Sequence, residues 1–332
     1  MTVGIKDVAR VAGVSPATVS RVLGNGVVSD ALRQQVEAAV RETGYRPNLS
    51  ARRLRSQHSQ TIGLIVADIR NPFFTAVSRA VEDAAYQAGL RVILCNTDED
   101  PEKEAMYLRL MEEERVTGVI FAPTRQTVEH MAETPRNFPT VLIDRACQRS
   151  REDTVVLDNA AAAGVLVEHL YDQGYRRIVG LFGNASTTGV ERHSGYMVAM
   201  SRLRLTPDAV FIPPSAEAAE AEIRRRMVDG GAVSSRPEAV VASNGLLLMG
   251  VVRAAGEAGL AIPGDLAVAG FDNERWTELV GPGITVIEQP VETIGRTAMT
   301  MLLERLDAPE APIRKVVLSG RCIVRGSTAR KG

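Results

Sequence analysis

A chain of 332 residues, 45% hydrophobic and 24% charged, is long enough for two or three domains and has a globular composition. No apolar run approaches the roughly 18 residues of a membrane span, and no signal segment precedes the first charged residues, so the sequence reads as cytoplasmic, with no membrane partner. The net charge of −1 hides an asymmetry: residues 1–60 carry nine Lys/Arg against four Asp/Glu, and the remainder thirty against thirty-six, so the basic head is expected to meet a polyanion.

In chain order, Ile5, Val8, Ala9 and Ala12 fall on one face of a short helix, which Gly13 ends. Ser15 followed by Pro16 is a helix start: a capping hydroxyl, then a residue with no N–H where none is needed. Val19, Val22 and Leu23 form the buried face of this second helix. A third helix starts at Ser29, buries Leu32, Val36 and Val40, and stops at Gly44. Helix, tight glycine turn and helix within about 20 residues is the helix-turn-helix pattern, which places the start of the second helix in the major groove. Pro16, Ala17, Thr18, Ser20 and Arg21 are expected to be exposed there. Arg21 has the fork for guanine, Ala17 or Pro16 suits a thymine methyl, and Thr18 and Ser20 suit phosphates. A small three-helix domain that binds protein is the plainer alternative.

Next comes Tyr45-Arg-Pro-Asn-Leu-Ser-Ala-Arg-Arg-Leu-Arg55. Asn48 can cap a turn or two of helix over 49–56, too short to persist alone because nucleation is costly. Leu54 among Arg52, Arg53 and Arg55 suits a minor-groove wedge, with the arginines on phosphates; a flexible basic linker is the alternative.

The runs Ile5-Lys-Asp-Val-Ala-Arg, Ala12-Gly-Val-Ser-Pro-Ala-Thr-Val-Ser-Arg-Val-Leu23 and Gly44-Tyr-Arg-Pro-Asn48 resemble the headpiece of the lactose-repressor (LacI/GalR) family, and the resemblance continues through nearly the whole chain. It implies a homodimer whose two headpieces read a near-palindromic operator, with Leu54 entering the minor groove at its centre. The implied DNA-contact set is Ser15, Pro16, Ala17, Thr18, Ser20, Arg21, Asn25, Leu54 and Arg55.

From Thr61 onward, short apolar runs at 62–67, 92–95, 119–122 and 141–143 alternate with helical stretches at 73–87 and 102–115, the signature of parallel βαβ units. A second set follows, with strands at 178–182, 239–242 and 266–271 and helices near 160–173, 190–203, 216–228 and 246–258. Two halves of one type predict a bilobed α/β core of two doubly wound parallel-sheet subdomains, with the site between them at the strand C-termini. The expected organisation is a headpiece at 1–47, a hinge at 48–60 and a core at 61–332. The family resemblance implies three crossings between lobes, near 160, 290 and 320. The first subdomain then takes about 61–160 and 291–320, the second about 161–290 and 321–332.

The candidate effector residues lie just past strands. Asp68-Ile-Arg-Asn-Pro-Phe-Phe74 resembles a family motif in which Phe73 and Phe74 form an apolar wall for a sugar face. Arg192, in Gly189-Val-Glu-Arg-His-Ser-Gly195, matches the family's effector arginine, a fork suited to hydroxyls or a carboxylate. Asp272 matches its hydroxyl-accepting aspartate, and Gln289 its glutamine before proline. Asn244 matches too, although Gly245 stands where the family usually has an acid. Arg145 is a second candidate cation. Taken singly, each has an ordinary reading as a capping or surface residue; their joint placement at strand ends singles them out. The run Phe271-Asp-Asn-Glu-Arg-Trp-Thr-Glu-Leu-Val280 resembles the subgroup sensing 2-ketogluconate or 2-keto-3-deoxygluconate. Trp276 is then expected at the cleft, with a packed interface aromatic as the alternative. A sugar acid would suit Arg192 and Arg145, since a buried carboxylate needs paired cations.

The remaining features weigh against other classes. None of the phosphate-loop, dinucleotide, metalloprotease or nucleophile-elbow motifs occurs. His58, His130, His169 and His193 are scattered without metal-ligand spacing, so no catalytic residue, cofactor or metal is expected. Cys95, Cys147 and Cys322, odd in number and widely spaced, read as buried thiols of a reducing compartment. An exported sugar-binding transport protein would carry no basic helix-turn-helix, and a nucleoid protein would bind DNA without sequence preference. Apolar surface at 73–88 and 291–306 is the expected dimer face, and the absence of C-terminal heptads favours a dimer over a tetramer.

Overall fold

Gly13 takes a left-handed φ of 61° between the first two helices and Gly44 one of 65° after the third, conformations that cost a glycine little. These two residues bracket a three-helix head: α1 (Ile5–Val11), α2 (Pro16–Leu23) and α3 (Asp30–Thr43). The computed structural model describes residues 4–23, 28–45, 59–130, 136–146, 151–227 and 236–330. The expected helix at 49–56, with Leu54 and Arg55, lies outside them, as do Asn25, Cys147 and His58. The chain divides into two compact units, Met1–Ser59 and Gln60–Gly332. Val8, Ala9, Ala12, Val19, Val22, Val36 and Ala39 form the core of the head. Ala39 takes the buried place expected of Val40, which is only half-buried.

The second unit holds two six-stranded sheets among the described residues. In chain order its elements are β1 (Thr61–Val66), α4 (Pro72–Gln87), β2 (Arg91–Asn96), α5 (Pro101–Glu113), β3 (Val119–Phe121), α6 (Arg125–His130), β4 (Thr140–Ile143) and β5 (Asp153–Leu157). There follow α7 (Asn159–Asp172), β6 (Ile178–Gly183), α8 (Thr187–Arg202), β7 (Asp208–Ile212), α9 (Ala216–Met227), β8 (Ala239–Ala242) and α10 (Gly245–Glu257). The chain closes with β9 (Ala267–Phe271), α11 (Trp276–Leu279), β10 (Thr285–Glu288), α12 (Val291–Asp307), β11 (Lys315–Leu318) and β12 (Arg321–Ile323). The first sheet runs β11-β5-β4-β3-β1-β2 and is parallel throughout. The second runs β12-β10-β9-β8-β6-β7; it departs from the all-parallel expectation at one edge, where β12 pairs antiparallel with β10.

The chain passes from the first sheet to the second between β5 and α7, returns between β10 and α12, and passes across again between β11 and β12. Each lobe is thus built from discontinuous sequence, and the cleft lies where the strand C-termini face each other. Part of the apolar surface of α4 and α12, the helices expected at the dimer face, is used inside the lobe. Phe73, Phe74, Val77, Val81 and Ala85 pack with Ile294, Ala298, Met299 and Leu302 in the core of the first lobe. Arg79, Asp83, Gln87 and Arg296 are left outside, with Tyr86 the exception at 78% exposure. Both helices need cover on a parallel sheet, and each supplies it with its only apolar stripe. Of the described cysteines, Cys95 is buried and Cys322 half-buried; burial pushes both thiols up.

One buried ion cluster ties the returning elements to the first sheet. Asp153, at the start of β5 and 1% exposed, accepts Arg305 Nη2 at 2.9 Å and Nε at 3.1 Å, together with the Arg314 backbone N–H at 2.8 Å. Removing one partner of such a cluster leaves an uncompensated charge in the interior. Asp153→Ala is expected to lower stability by about 3–5 kcal/mol, read as a shifted urea midpoint, whereas Asp83→Ala at the exposed Arg79 pair should stay within about 0.5 kcal/mol.

Candidate functional site

In the head, the Ser15 hydroxyl accepts the Thr18 backbone N–H at 3.1 Å and lies 2.8 Å from the Thr18 hydroxyl. That cap fixes the start of α2, and Gln35 Nε2 reaches the Ala12 carbonyl at 2.9 Å to hold the turn against α3. Pro16, Ala17 and Arg21 are exposed on α2, whereas Thr18 and Ser20 are half-buried, less open than their spacing suggested. The exposed set presents one cation and two small apolar surfaces.

In the core, every effector candidate follows a strand. Past β1, Asn71 caps α4, its side chain accepting the Phe73 N–H at 3.1 Å. This turn buries Phe73 and Phe74 edge to face, with ring centroids 5.0 Å apart. Past β4 come Asp144, at a φ of 64°, and Arg145. Past β6, Ser186 caps the helix that carries Arg192. Past β8, Asn244 caps α10, its Oδ1 accepting the Leu247 N–H at 2.8 Å, which leaves its amide nitrogen without a hydrogen bond among the described residues. Past β9, Asp272 sits at a φ of 77°, accepting the Gly245 N–H at 2.9 Å and Gln289 Nε2 at 2.6 Å. Asp144 and Asp272 thus hold strained backbone at matching places in the two lobes. Non-glycine residues rarely adopt that conformation, and it concentrates at functional sites.

Seven candidates, Phe73, Phe74, Arg145, Arg192, Asn244, Asp272 and Gln289, line one small cavity of about 50 Å³ between the lobes. A larger cavity of about 740 Å³ shares Phe73, Asp272 and Gln289 with it and adds Trp276, Glu274 and Glu288. No cluster of His, Cys, Asp and Glu that could hold a metal ion occurs among the described residues.

The two arginines differ. Arg145 is occupied: Glu99 takes both Nη atoms, one at 2.6 Å, the Pro123 carbonyl accepts from Nη1 at 3.0 Å, and Asp144 accepts Nε at 3.2 Å. Burial alone would pull this guanidinium down, but Glu99 together with Asp144 and Glu104 outweighs it and the group sits above its ordinary range. The expected second free cation is therefore already neutralised inside the protein. Arg192, 3% exposed, donates Nε to Asn159 at 2.8 Å and Nη1 to the Ser243 carbonyl, and its Cζ stacks 3.9 Å from the Phe271 ring centroid. Burial pulls it below its ordinary range, and Asp272 and Asp144 only partly offset the pull. Asp144 is in turn pushed up by burial, against the pull of Arg145 and Arg192.

Sequence reading missed Glu99, Asp144, Asn159 and Glu274. Asp144 adjoins a candidate, and Glu274 lies two residues past Asp272 inside the quoted run; Glu99 and Asn159 join only through the fold.

A helix-turn-helix head and a bilobed core with a polar interlobe cleft define a ligand-responsive DNA-binding protein. The description "Bacterial regulatory proteins, lacI family" matches residues 4–48, and "Periplasmic binding protein-like domain" matches 167–328. The chain is 34% identical over 333 residues to the HTH-type transcriptional regulator KdgR of Bacillus subtilis, covering 97% of each chain. It is 34% identical over 331 residues to the HTH-type transcriptional regulator PtxS of Pseudomonas putida, covering 98% of this chain and 96% of the relative. Among solved structures, the lac repressor dimer bound to operator and the anti-inducer ONPF superposes with a TM-score of 0.88 at 25% identity, over 99% of this chain and all of that one. The chain belongs to the lacI family and is a DNA-binding transcription regulator.

Trp276 is the only tryptophan, and its indole N–H donates to Glu274 Oε2 at 2.6 Å. Burial pushes the Glu274 carboxyl up, opposed by that hydrogen bond and reinforced by Asp272. Burial disfavours the charged form, so Glu274 keeps its proton to a higher pH than a free glutamate at about 4.3. Trp276 emission should therefore titrate with a midpoint above that value, and Glu274→Gln should abolish the step. A midpoint in the ordinary range, or a step that survives the substitution, contradicts this environment.

Proposed function

We propose that this regulator is a repressor of sugar-acid catabolism genes, released from a palindromic operator when a sugar acid of the 2-ketogluconate type binds in the interlobe cleft. The observation that carries the reading is Arg192: a buried guanidinium at the junction of two lobes, under-compensated by its neighbours and stacked on Phe271. Such a group gains most from an anionic ligand, because a charge-assisted hydrogen bond in a dry site is stronger than in water. The proposed effector set is Phe73, Phe74, Arg145, Arg192, Asn244, Asp272, Trp276 and Gln289. Arg145 acts there by holding Glu99 and Asp144 in place rather than by receiving the ligand. The chain's resemblance in 271–280 to the 2-ketogluconate subgroup supports the same class.

On the DNA side, the proposed contacts are Ser15, Pro16, Ala17, Thr18, Ser20, Arg21 and Asn25 from the headpiece at 1–47, with Leu54 and Arg55 from the hinge at 48–60. The core at 61–332 forms the effector lobes and pairs two chains into a homodimer, and the protein works in the cytoplasm without catalysing a reaction. Ligand shifts operator affinity only by its differential affinity for the two states; about 2.7 kcal/mol of coupling gives roughly hundredfold release.

A neutral sugar is the second reading. The observation favouring it is the bidentate Glu99–Arg145 pair, which leaves one cation among several carboxylates in the smaller cavity. Fluorescence anisotropy on the gene's own upstream DNA, at fixed salt, separates the two. Release by 2-ketogluconate and not by glucose supports the sugar-acid reading, and release by glucose alone the second. In the same assay Arg21→Ala should cost about 1–3 kcal/mol on the preferred site; an equal loss on random DNA would mean Arg21 holds phosphate instead.

A further inference from the structure

Gly245 opens α10 in an ordinary helical position, without the left-handed backbone that would demand glycine. Its neighbours supply another reason for a missing side chain. A Cβ at 245 would lie 2.6 Å from Glu274 Oε1, which would have to move aside, and in tight contact at 3.3 Å with Asp272 Oδ2. The space beside Asp272 is filled by the carboxylate of Glu274, reaching in from the turn after β9.

Glu274 Oε2 is occupied by the Trp276 indole. Its Oε1 is buried and has no hydrogen-bond partner among the described residues, and the same holds for Oε1 of Gln289, a residue only 6% exposed. Both residues line the larger cavity. Two buried acceptors without donors are costly to leave unmet. A ligand that meets both must bring hydrogen-bond donors, which a carboxylate lacks and the hydroxyls of a sugar or sugar acid supply. Asp272, Glu274 and Glu288 on the same walls repel an anionic end, which is left to Arg192.

We propose that Glu274 is a specificity-determining residue of the effector site. With Gln289 it accepts hydroxyls from the polyhydroxyl end of the ligand in the larger cavity, and Gly245 provides its room. This rests on the reading of the cleft as the effector site. The ligand lies across both cavities, with any carboxylate on the Arg192 side.

Calorimetric titration of the full-length protein tests this with 2-ketogluconate and glucose as hydroxyl-bearing probes and pyruvate as a keto acid without the hydroxyl chain. Glu274→Gln is expected to weaken the bound hydroxyl-bearing probe at least tenfold, in line with losing a hydrogen bond to a charged group. Gly245→Ala should do the same by displacing Glu274, and the double variant should be no weaker than the poorer single one. Pyruvate binding and ligand-free operator affinity should not change. Arg192→Lys serves as the reference. If it loses binding while Glu274→Gln and Gly245→Ala bind as the wild type does, the role of Glu274 is overturned and the cleft reading stands. If Arg192→Lys binds normally, or the wild type binds neither hydroxyl-bearing probe, the cleft reading itself fails. Equal loss of pyruvate and 2-ketogluconate in Glu274→Gln would mean that Glu274 only holds the lobe together, and would also overturn the proposal.

Discussion

The interlobe site is organised around the burial of one guanidinium. A cation as enclosed as Arg192 is costly unless opposite charge and hydrogen bonds surround it, and its surroundings come from separate parts of the fold. Asn159 stands at the first crossing between lobes, Ser243 at the end of β8, and the Phe271 ring at the end of β9. Its charge partners are Asp272 of its own lobe and Asp144 of the opposite one. The electrostatic balance of the second lobe therefore depends on a carboxylate carried by the first. A ligand that changes this balance changes how strongly the lobes attract each other, a differential interaction of the kind that allostery requires.

Topology explains why the partners can meet. Parallel sheets place all their strand C-termini on one side. With the two sheets sharing a chain that crosses three times, those sides face each other. The turns after β1 and β8 start helices whose caps are Asn71 and Asn244, so two of the polar side chains in the cleft also satisfy backbone N–H groups that a helix start leaves open. Asn244 shows the consequence: its carbonyl oxygen is spent on the cap, and only its amide remains for a ligand. Asp144 and Asp272 accept left-handed backbone at equivalent points, which turns each carboxylate into the gap.

What could be read from the sequence follows from the range of the interactions involved. The three head helices were legible because glycine, serine and proline act locally and the apolar spacing is regular. Of the central strands, β1, β3, β4, β6, β8 and β9 were legible as continuous apolar runs, since both of their faces are buried; β5 and β10, whose runs are broken by Asp153, Thr154, Thr285 and Glu288, were not. Of the edge strands only β2 was legible: β7 has one buried residue, β11 alternates exposed and half-buried residues, and β12 is three residues long, so none of these three carries the apolar run of a buried strand. The eight effector candidates, which line one or other of the two cavities, stood out because they sit in short motifs that follow strands. The state of Arg145 did not, because it depends on Glu99, 46 residues away; no local pattern records which carboxylate a cation meets. How much of α4 and α12 is spent inside the lobe was hidden for the same reason, since an amphipathic stripe does not say whether it meets a sheet, a neighbouring helix or another chain.

The contrast between the two arginines bears on how a cleft discriminates ligands. A cation that is already paired, as Arg145 is, contributes no new attraction to an anion and would have to give up Glu99 to receive one. A cation that is buried and short of negative charge, as Arg192 is, gains from any acceptor. On the reading proposed above, discrimination between an acid and a neutral sugar turns on one guanidinium rather than on the count of cations in the cavity. In the same proposal, discrimination among hydroxylated ligands turns on acceptors held by their own neighbours: Asp272 by Gly245 and Gln289, Glu274 by Trp276. A site that rejects ligands lacking a hydroxyl does so because its buried acceptors are then left unmet. The arrangement around Gly245 adds one more such acceptor to the wall that Asp272 begins.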